Sequence, residues 1–213
     1  MQMTIARTPL REQVYHEILA RIHRGDVAPG SRVKDTTLAQ QLGVSRTPIR
    51  EALLRLSREG VLDVETGRGF RLRPFAREEL RDVGGVLAVL EPMALRLIPE
   101  FPAAKLDALA DLAKQLEQIR GDVSRVVELD DAWHRRLLDD CPNRLLLDLI
   151  STLRQVPGRY LHAYLREAGR LSLSSLHHSR ILDALRRGDR GAAAGLLERR
   201  WRRGIEEMEA WIK

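Results

Sequence analysis

One aspartate and two histidines in the second half of the chain have the residue types of a metal site. Asp130 and His134 lie four residues apart within Asp-Asp-Ala-Trp-His, so a helix presents both side chains on one face. His178 follows in a later segment. Carboxylate oxygens and imidazole nitrogens are ligands that zinc prefers. The same spacing also fits an ordinary surface ion pair, so the residues alone leave both interpretations open.

Basic charge is concentrated in the first third of the chain. Residues 1–75 contain 13 Lys and Arg against 8 Asp and Glu, whereas residues 76–213 contain 23 against 22. Arginine supplies most of the excess, and its guanidinium can donate two parallel hydrogen bonds to phosphate or guanine. The asymmetry indicates a small polyanion-binding module joined to a near-neutral module. Charge alone also fits a solvated basic face without a partner.

Composition excludes several classes of protein. Hydrophobic residues make up 44% of the 213 residues, which is enough for a sizeable core and excludes a disordered chain. The longest stretch without charge, residues 36–45, is far shorter than the roughly 20 apolar residues of a membrane span. No secretion signal is evident at the N-terminus, and the single cysteine, Cys141, fits a reducing compartment. We therefore expect a cytoplasmic protein without a membrane partner.

The elements of the first module follow from the periodicity of its apolar residues. Apolar residues at helical spacing predict three helices, and an alternating pattern around Thr-Gly-Arg-Gly predicts a β-hairpin. Pro74 ends the second strand. Two helices joined by a tight Gly-Val turn and followed by a hairpin form a winged helix-turn-helix, predicted for residues 1–74. The expected helices are 10–24, 36–42 and 45–60, and the expected strands are 61–65 and 70–73.

Polar and basic groups are concentrated where such a module meets DNA. The first turn of its second helix contacts base edges and phosphates in the major groove, and a helix N-terminus itself favours an anion. Arg46 and Arg50 share one helical face, opposite Ile49 and Leu53. The hairpin tip, Gly67-Arg68-Gly69, offers a protein backbone able to come close to DNA and one cation for the minor groove. Six residues are predicted to contact DNA: Ser45, Arg46, Thr47, Arg50, Gly67 and Arg68.

The same segment resembles a known family. Residues 45–53, Ser-Arg-Thr-Pro-Ile-Arg-Glu-Ala-Leu, resemble the signature of GntR-type bacterial transcription regulators, and the resemblance covers about residues 8–74. It implies that Arg46 and Arg50 contact a double-stranded DNA operator and that Gly67 lies at the tip of the wing. Thr36 departs from the family pattern, since some members have a DNA-contacting arginine near this position.

From residue 76 onward only helical patterns occur. Proline and glycine separate the helical segments, and an antiparallel bundle of about six helices is the natural architecture for residues 75–213. Pro157-Gly158 is expected to kink or break one of them. The predicted helices are 77–98, 102–120, 124–140, 143–166, 172–187 and 189–212.

This second module resembles the helical effector domain of the FadR subfamily of GntR-type regulators. The resemblance implies a small-molecule effector and, in many members, a divalent metal held by one aspartate and three histidines inside the bundle. The position of the third histidine is occupied here by Arg200. The residues that match the subfamily in order are Asp130, Trp133, His134, Asn143, His178, Ile181 and Gly188-Asp189.

Arg200 leaves two possibilities for this site. Arginine cannot ligate a metal, and its charge opposes a nearby dication. Asp130, His134 and His178 remain as three ligands for a divalent metal such as zinc, with water or a carboxylate effector in the open positions. Alternatively no metal is bound, and Arg200 holds an effector carboxylate. Arg154 and Tyr160 are further candidates for the effector cavity.

The leading prediction is therefore a mainly α-helical, ligand-responsive transcription regulator. A homodimer would place two recognition helices on a near-palindromic operator, and a small organic acid in the bundle would modulate binding. The alternative is a metal-dependent enzyme built on Asp130, His134 and His178. We predict no enzyme, because the sequence has no phosphate-binding glycine loop, no nucleophile elbow and no recognisable general base.

Overall fold

The computed structural model describes residues 9–119, 121–168 and 175–212. The chain divides into two compact units, Met1–Pro74 and Phe75–Lys213. Each unit has its own hydrophobic core. None of the helices in the described ranges has the length and apolar character needed to cross a membrane.

The first unit is a winged helix-turn-helix, as the sequence predicts. Gly43 ends α2 in the left-handed conformation, at φ 65°, and Ser45 precedes the recognition helix α3. The core lies between α1 and α3, where Ile49, Leu53 and Leu56 are fully buried. Its elements are α1 (Leu10–Arg24), β1 (Arg32–Val33), α2 (Asp35–Leu42), α3 (Arg46–Arg58), β2 (Leu62–Glu65) and β3 (Gly69–Leu72).

The wing contains three strands rather than the two predicted. β1 pairs antiparallel with β3, which also pairs with β2, so the strand order is β1-β3-β2. β1 consists of two residues, Arg32 and Val33, and is too short to show an alternating pattern in the sequence. Val33 packs into the core of the unit, which ties this segment to the wing.

The second unit is a bundle of helices, and the predicted fold class is confirmed. A kink or a break was predicted at Pro157-Gly158; α7 continues through Pro157, so a break there is wrong and a kink stays a prediction. The predicted residues 120 and 172–174 lie outside the described ranges. Its helices are α4 (Arg77–Leu97), α5 (Ala103–Gln118), α6 (Val123–Leu138), α7 (Arg144–Ala168), α8 (Ser175–Arg186) and α9 (Arg190–Trp211).

Helices α4 and α9 form the most extensive helix pair of this bundle. Gly84 allows their close approach, since a Cβ atom there would lie 2.0 Å from Cδ1 of Ile205. α4 also packs against α7, α5 packs against α6 and α8, and α8 packs against α9. Side chains from α4, α6, α7, α8 and α9 therefore point into one interior.

Candidate functional site: a buried cluster in the bundle and a basic helix face

The structure brings together the three residues predicted for the metal site. Asp130 and His134 lie on the buried face of α6, and His178 enters from α8. Trp133 fixes α6 in the core, where its indole Nε1 donates to the carbonyl of Leu109 at 3.1 Å. One ligand atom from each of the three residues lies within 4.8 Å of the others.

Arg200 extends from α9 into the same cluster. Its side chain is only 12% exposed. One guanidinium nitrogen, Nη2, donates to the carboxylate of Asp130, and the other, Nη1, lies 2.7 Å from Nε2 of His134. Arg200 is therefore a largely buried member of the cluster and not a solvated surface charge.

Glu91 is a member of the site that the sequence analysis did not predict. It lies on α4, is fully buried and accepts hydrogen bonds from three side chains. These are His134 Nδ1 at 2.6 Å, Arg154 Nη1 at 2.8 Å and Trp201 Nε1 at 2.8 Å. The sequence signal was an acidic residue at a core-facing position of an otherwise apolar helical stripe.

Arg154 joins the cluster from α7. In addition to Glu91 it donates from Nε to Asp131 at 3.1 Å, and its Nη2 lies 3.8 Å from Asp130. Glu91 and Asp130 thus face Arg154 and Arg200, so two buried negative charges are matched by two positive charges.

The hydrogen bonds of His134 define its protonation state. An arginine has no acceptor, so Nε2 of His134 must accept from Arg200, and Nδ1 must donate to Glu91. Burial lowers the pKa of His134, and the two arginines add to this against the opposing charge of Glu91. Burial opposes ionisation of Glu91, yet His134 and Arg154 lower the pKa of that carboxyl to about 2. The imidazole is therefore neutral and the carboxylate is ionised.

The remaining titratable groups of the cluster have perturbed pKa values as well. Burial alone would raise the pKa of Asp130, but the charge of Arg200 and the two histidine contacts hold it well below its usual range. Burial, followed by the charge of Arg200, lowers the pKa of His178 to about 3. Nε2 of His178 lies 3.4 Å from Asp130, and neither ring nitrogen makes a hydrogen bond of normal geometry with a described residue.

A divalent metal does not fit this arrangement. A metal ion at the cluster would need the Nε2 lone pair of His134 and an oxygen of Asp130, and both are engaged by the guanidinium of Arg200. The charge of Arg200 would also repel a dication at this distance. The three residues have the types of a metal site, but donor atoms of two of them, Asp130 and His134, already bind the guanidinium of Arg200.

Tyr160 has a different environment from the other predicted effector residues. It is fully buried on α7, and its hydroxyl accepts from the amide of Ala76 at 3.0 Å and contacts the carboxylate of Glu79. Its ring packs on Phe75 with the centroids 4.6 Å apart. The contacts of Tyr160 are therefore with the first residues of the second unit, and its place in an effector pocket stays a prediction.

The predicted DNA-binding residues of α3 are all at the surface. Ser45, at the N-cap position, makes no capping hydrogen bond through its side chain. Arg46 and Arg50 are 58% and 61% exposed, and both face Asp35 of α2. Nη2 of Arg46 donates to Asp35 at 2.9 Å, and Nε of Arg50 lies 3.9 Å from it. Thr47 is exposed beside them.

The tip of the wing is the second exposed part of the predicted DNA surface. Gly67 and Gly69 have positive φ values of 72° and 89°, which close the turn between β2 and β3. Arg68 between them is exposed. The structure thus presents the Arg68 side chain between two glycines, whose lack of side chains leaves the backbone of the wing tip open to approach.

Comparisons with known proteins agree on the class of protein. Residues 10–72 match the family model described as bacterial regulatory proteins, gntR family, and residues 82–203 match the model of the FCD domain. The HTH-type transcriptional regulator McbR of Escherichia coli is 30% identical over 159 residues, which cover 73% of this chain and 72% of McbR. The uncharacterized HTH-type transcriptional regulator YdhC of Bacillus subtilis is 30% identical over 150 residues, covering 68% of this chain and 66% of YdhC.

The same relative is found among solved structures. The structure of E. coli McbR/YncC superposes with a TM-score of 0.85 at 26% identity, and the match covers 96% of this chain and 99% of that one. These relatives are regulators and not enzymes, which disfavours the metal-dependent enzyme considered from the sequence. The chain belongs to the GntR family and is a DNA-binding transcription regulator with an FCD effector-binding domain.

Proposed function

We propose that the protein binds a near-palindromic operator as a homodimer in the cytoplasm. A small organic acid that enters the FCD domain modulates the affinity for this operator. Operator binding is supported by the exposed first turn of α3, where Arg46 and Arg50 lie on one face. In a helix-turn-helix this turn contacts base edges in the major groove. Ser45 and Thr47 would donate to phosphate, and Gly67 with Arg68 would approach the minor groove.

An apolar stripe on α4 supports the homodimer. Its side chains are exposed although they are large and apolar, and they recur at three- and four-residue spacing along one face of the helix. The stripe consists of Val86, Val89, Met93 and Leu97, which are 46%, 56%, 46% and 41% exposed.

The sequence around this stripe is complementary to a second copy of itself. Asp82 and Arg96 lie seven residues before and after Val89, at the two ends of the stripe, and neither makes an ion pair with a described residue. A two-fold axis at Val89 would pair α4 antiparallel with its copy and place each Asp82 opposite an Arg96. The same pairing places Gly85, which has open space around it, opposite Met93. We therefore propose a second copy of the chain as the partner of this face.

Unpartnered polar atoms in the buried cluster support an acidic effector. Nε of Arg200 and both ring nitrogens of His178 are buried without a hydrogen bond to described residues. Buried polar atoms usually have a partner, so an incoming carboxylate that accepts from Nε of Arg200 and from the one protonated ring nitrogen of neutral His178 would complete the site. Arg154, whose charge is already matched by Glu91 and Asp131, would lie beside the bound acid. Tyr160 on the same helix would pass a shift of α7 to Ala76 and Glu79, which follow the DNA-binding unit.

The proposed function is tested in two steps. An operator selected from random DNA should be a near-palindrome with half-sites about 10 base pairs apart, bound by two chains in sedimentation. A panel of short organic acids, each paired with its primary amide, is then screened by tryptophan fluorescence, since all three tryptophans lie in the FCD unit. We expect at least one acid, but not its amide, to change both the fluorescence and operator affinity. Binding of one chain to a single half-site, or equal effects of acids and amides, would contradict the proposal.

A further inference from the structure

We infer that Arg200 is the resident cation of the FCD domain and that this regulator works without a metal. The resemblance to the FadR subfamily implies that members with a metal have a ligating histidine at the position where this chain has Arg200. The guanidinium takes the electrostatic place of the ion, because it contacts Asp130 and His134 with two of its nitrogen atoms. The inference holds whatever the effector is.

A metal ion and Arg200 compete for the same lone pair, Nε2 of His134, which the arginine contacts at 2.7 Å. The opposite ring nitrogen donates to Glu91, a contact that in metal sites orients the ligating histidine. The structure thus keeps Glu91, the carboxylate that would orient a ligating histidine. Nε2 of His134, the atom that would ligate the metal, instead accepts from the guanidinium of Arg200.

Glu91 and Asp130 are buried and are matched by Arg154 and Arg200. Even counting Asp131, the partly exposed partner of Arg154, a dication would leave an excess of positive charge beside the guanidinium of Arg200. Arg200 would have to leave the cluster for a metal to enter, and its departure would move a 12% exposed side chain into water.

Arg200 is anchored at this position by its place on α9. It lies one residue before Trp201, whose indole donates to Glu91 at 2.8 Å and whose ring lies 5.8 Å from that of His134. Trp201 and Leu197 are buried on α9 and define which face of that helix points inward. The helix therefore holds the guanidinium at the cluster without a contribution from any ligand.

The wild-type measurement is the primary test. The full chain is dialysed against EDTA and then titrated with zinc, while metal content is measured by mass spectrometry and unfolding is followed by tryptophan fluorescence. We expect substoichiometric zinc and an unfolding midpoint that neither EDTA nor zinc changes. Uptake of about one zinc per chain with a raised midpoint would overturn the inference.

Substitutions at position 200 test whether Arg200 is the reason that the wild type takes up little zinc. Arg200→His should take up about one zinc per chain, and zinc at a hundred times its Kd should raise the midpoint by about 5–10 °C. Arg199→His, at the exposed neighbouring position, should behave as wild type. A folded Arg200→His that binds zinc no better than Arg199→His would overturn the inference. If Arg200→His does not fold, Arg200→Gln decides: a zinc-induced rise in its midpoint supports the inference, and no rise overturns it.

Discussion

Nη1 of Arg200 lies 2.7 Å from Nε2 of His134, the ring nitrogen that a metal ion would need. This contact links helices α9 and α6 in the interior of the FCD domain. Because Nδ1 of the same ring donates to Glu91 of α4, one neutral imidazole connects three helices. Any ligand that takes Arg200 away from His134 therefore alters the contacts among all three helices.

Arg50 is predicted to contact a base of the operator. Arg50→Ala should weaken operator binding by about 1–3 kcal/mol and relax the preference at one base pair, because a bidentate contact to a base is lost. Fluorescence anisotropy with the operator and with each single-base variant measures both effects. Arg58→Ala, near the other end of α3, serves as the control. Equal affinity of wild type and Arg50→Ala for operator and random DNA would contradict the assignment.

Asp35 is predicted to restrain the two arginines of α3. Arg46 lowers the pKa of this carboxyl, although burial opposes it, so Asp35 is ionised and faces the side chains that meet DNA. Asp35→Asn should increase affinity for random DNA, since one negative charge near the phosphates is removed and Arg46 is released. It should also reduce the ratio of operator to random affinity, because Arg46 loses its orientation. Asp26→Asn is the matched charge control. An unchanged ratio would contradict this role.

The proposed dimer predicts the result of a charge swap on α4. Asp82→Arg or Arg96→Asp should each weaken dimerisation by about 1–2 kcal/mol, because each change affects two symmetry-related pairs. The double variant restores opposite charges across the interface and should dimerise as wild type does. Sedimentation equilibrium measures the dimer dissociation constants of the two single variants and of the double variant. Additive losses in the double variant, or no loss in either single variant, would contradict antiparallel pairing about Val89.

Stability of the FCD domain should fall as the solution becomes acidic. The folded pKa of His178 is about 3, below its ordinary value of 6.5, so the unfolded chain binds a proton that the folded chain does not between these values. The lowered pKa of His134 acts in the same direction. The free energy of unfolding should therefore decrease below about pH 6.5, by up to about 1.4 kcal/mol per pH unit for each histidine.

Urea unfolding followed by tryptophan fluorescence at pH 7.5, 6.5, 5.5 and 4.5 measures this slope. The lowered pKa of Glu91, about 2, adds a further loss below the ordinary value of 4.5. His178→Asn keeps a polar side chain of similar shape but has no proton to gain, so its slope should be shallower. Identical slopes for wild type and His178→Asn would remove His178 from the explanation.

Most of the fold could be predicted from residue patterns, and the misses have physical reasons. Long helices show their period over several turns, whereas the two residues of β1 do not, and their pairing with β3 depends on tertiary contact. Pro157 was expected to kink or break a helix, and α7 continues through it without a break. Packing of α7 against α4 and α6 stabilises the helix beyond its local propensity.

The buried cluster was predicted in part. The spacing of Asp130 and His134 places them on one face of a helix, but only the fold shows that this face is interior. Glu91 was missed because its partners, His134, Arg154 and Trp201, come from three other helices far along the chain. A single acidic residue within an apolar stripe was the available signal, and it does not identify partners without the tertiary structure.

The most direct test of the account measures operator release in the presence of EDTA. Labelled operator is bound to the wild type, to Arg200→Gln and to Arg199→Gln, and the organic acid with the largest effect in the panel is titrated while anisotropy is recorded. The account predicts that all three proteins bind the operator equally without the acid, and that the acid changes binding of wild type and Arg199→Gln but not of Arg200→Gln. An equal response of Arg200→Gln, or a wild-type response that appears only after zinc is added, would contradict it.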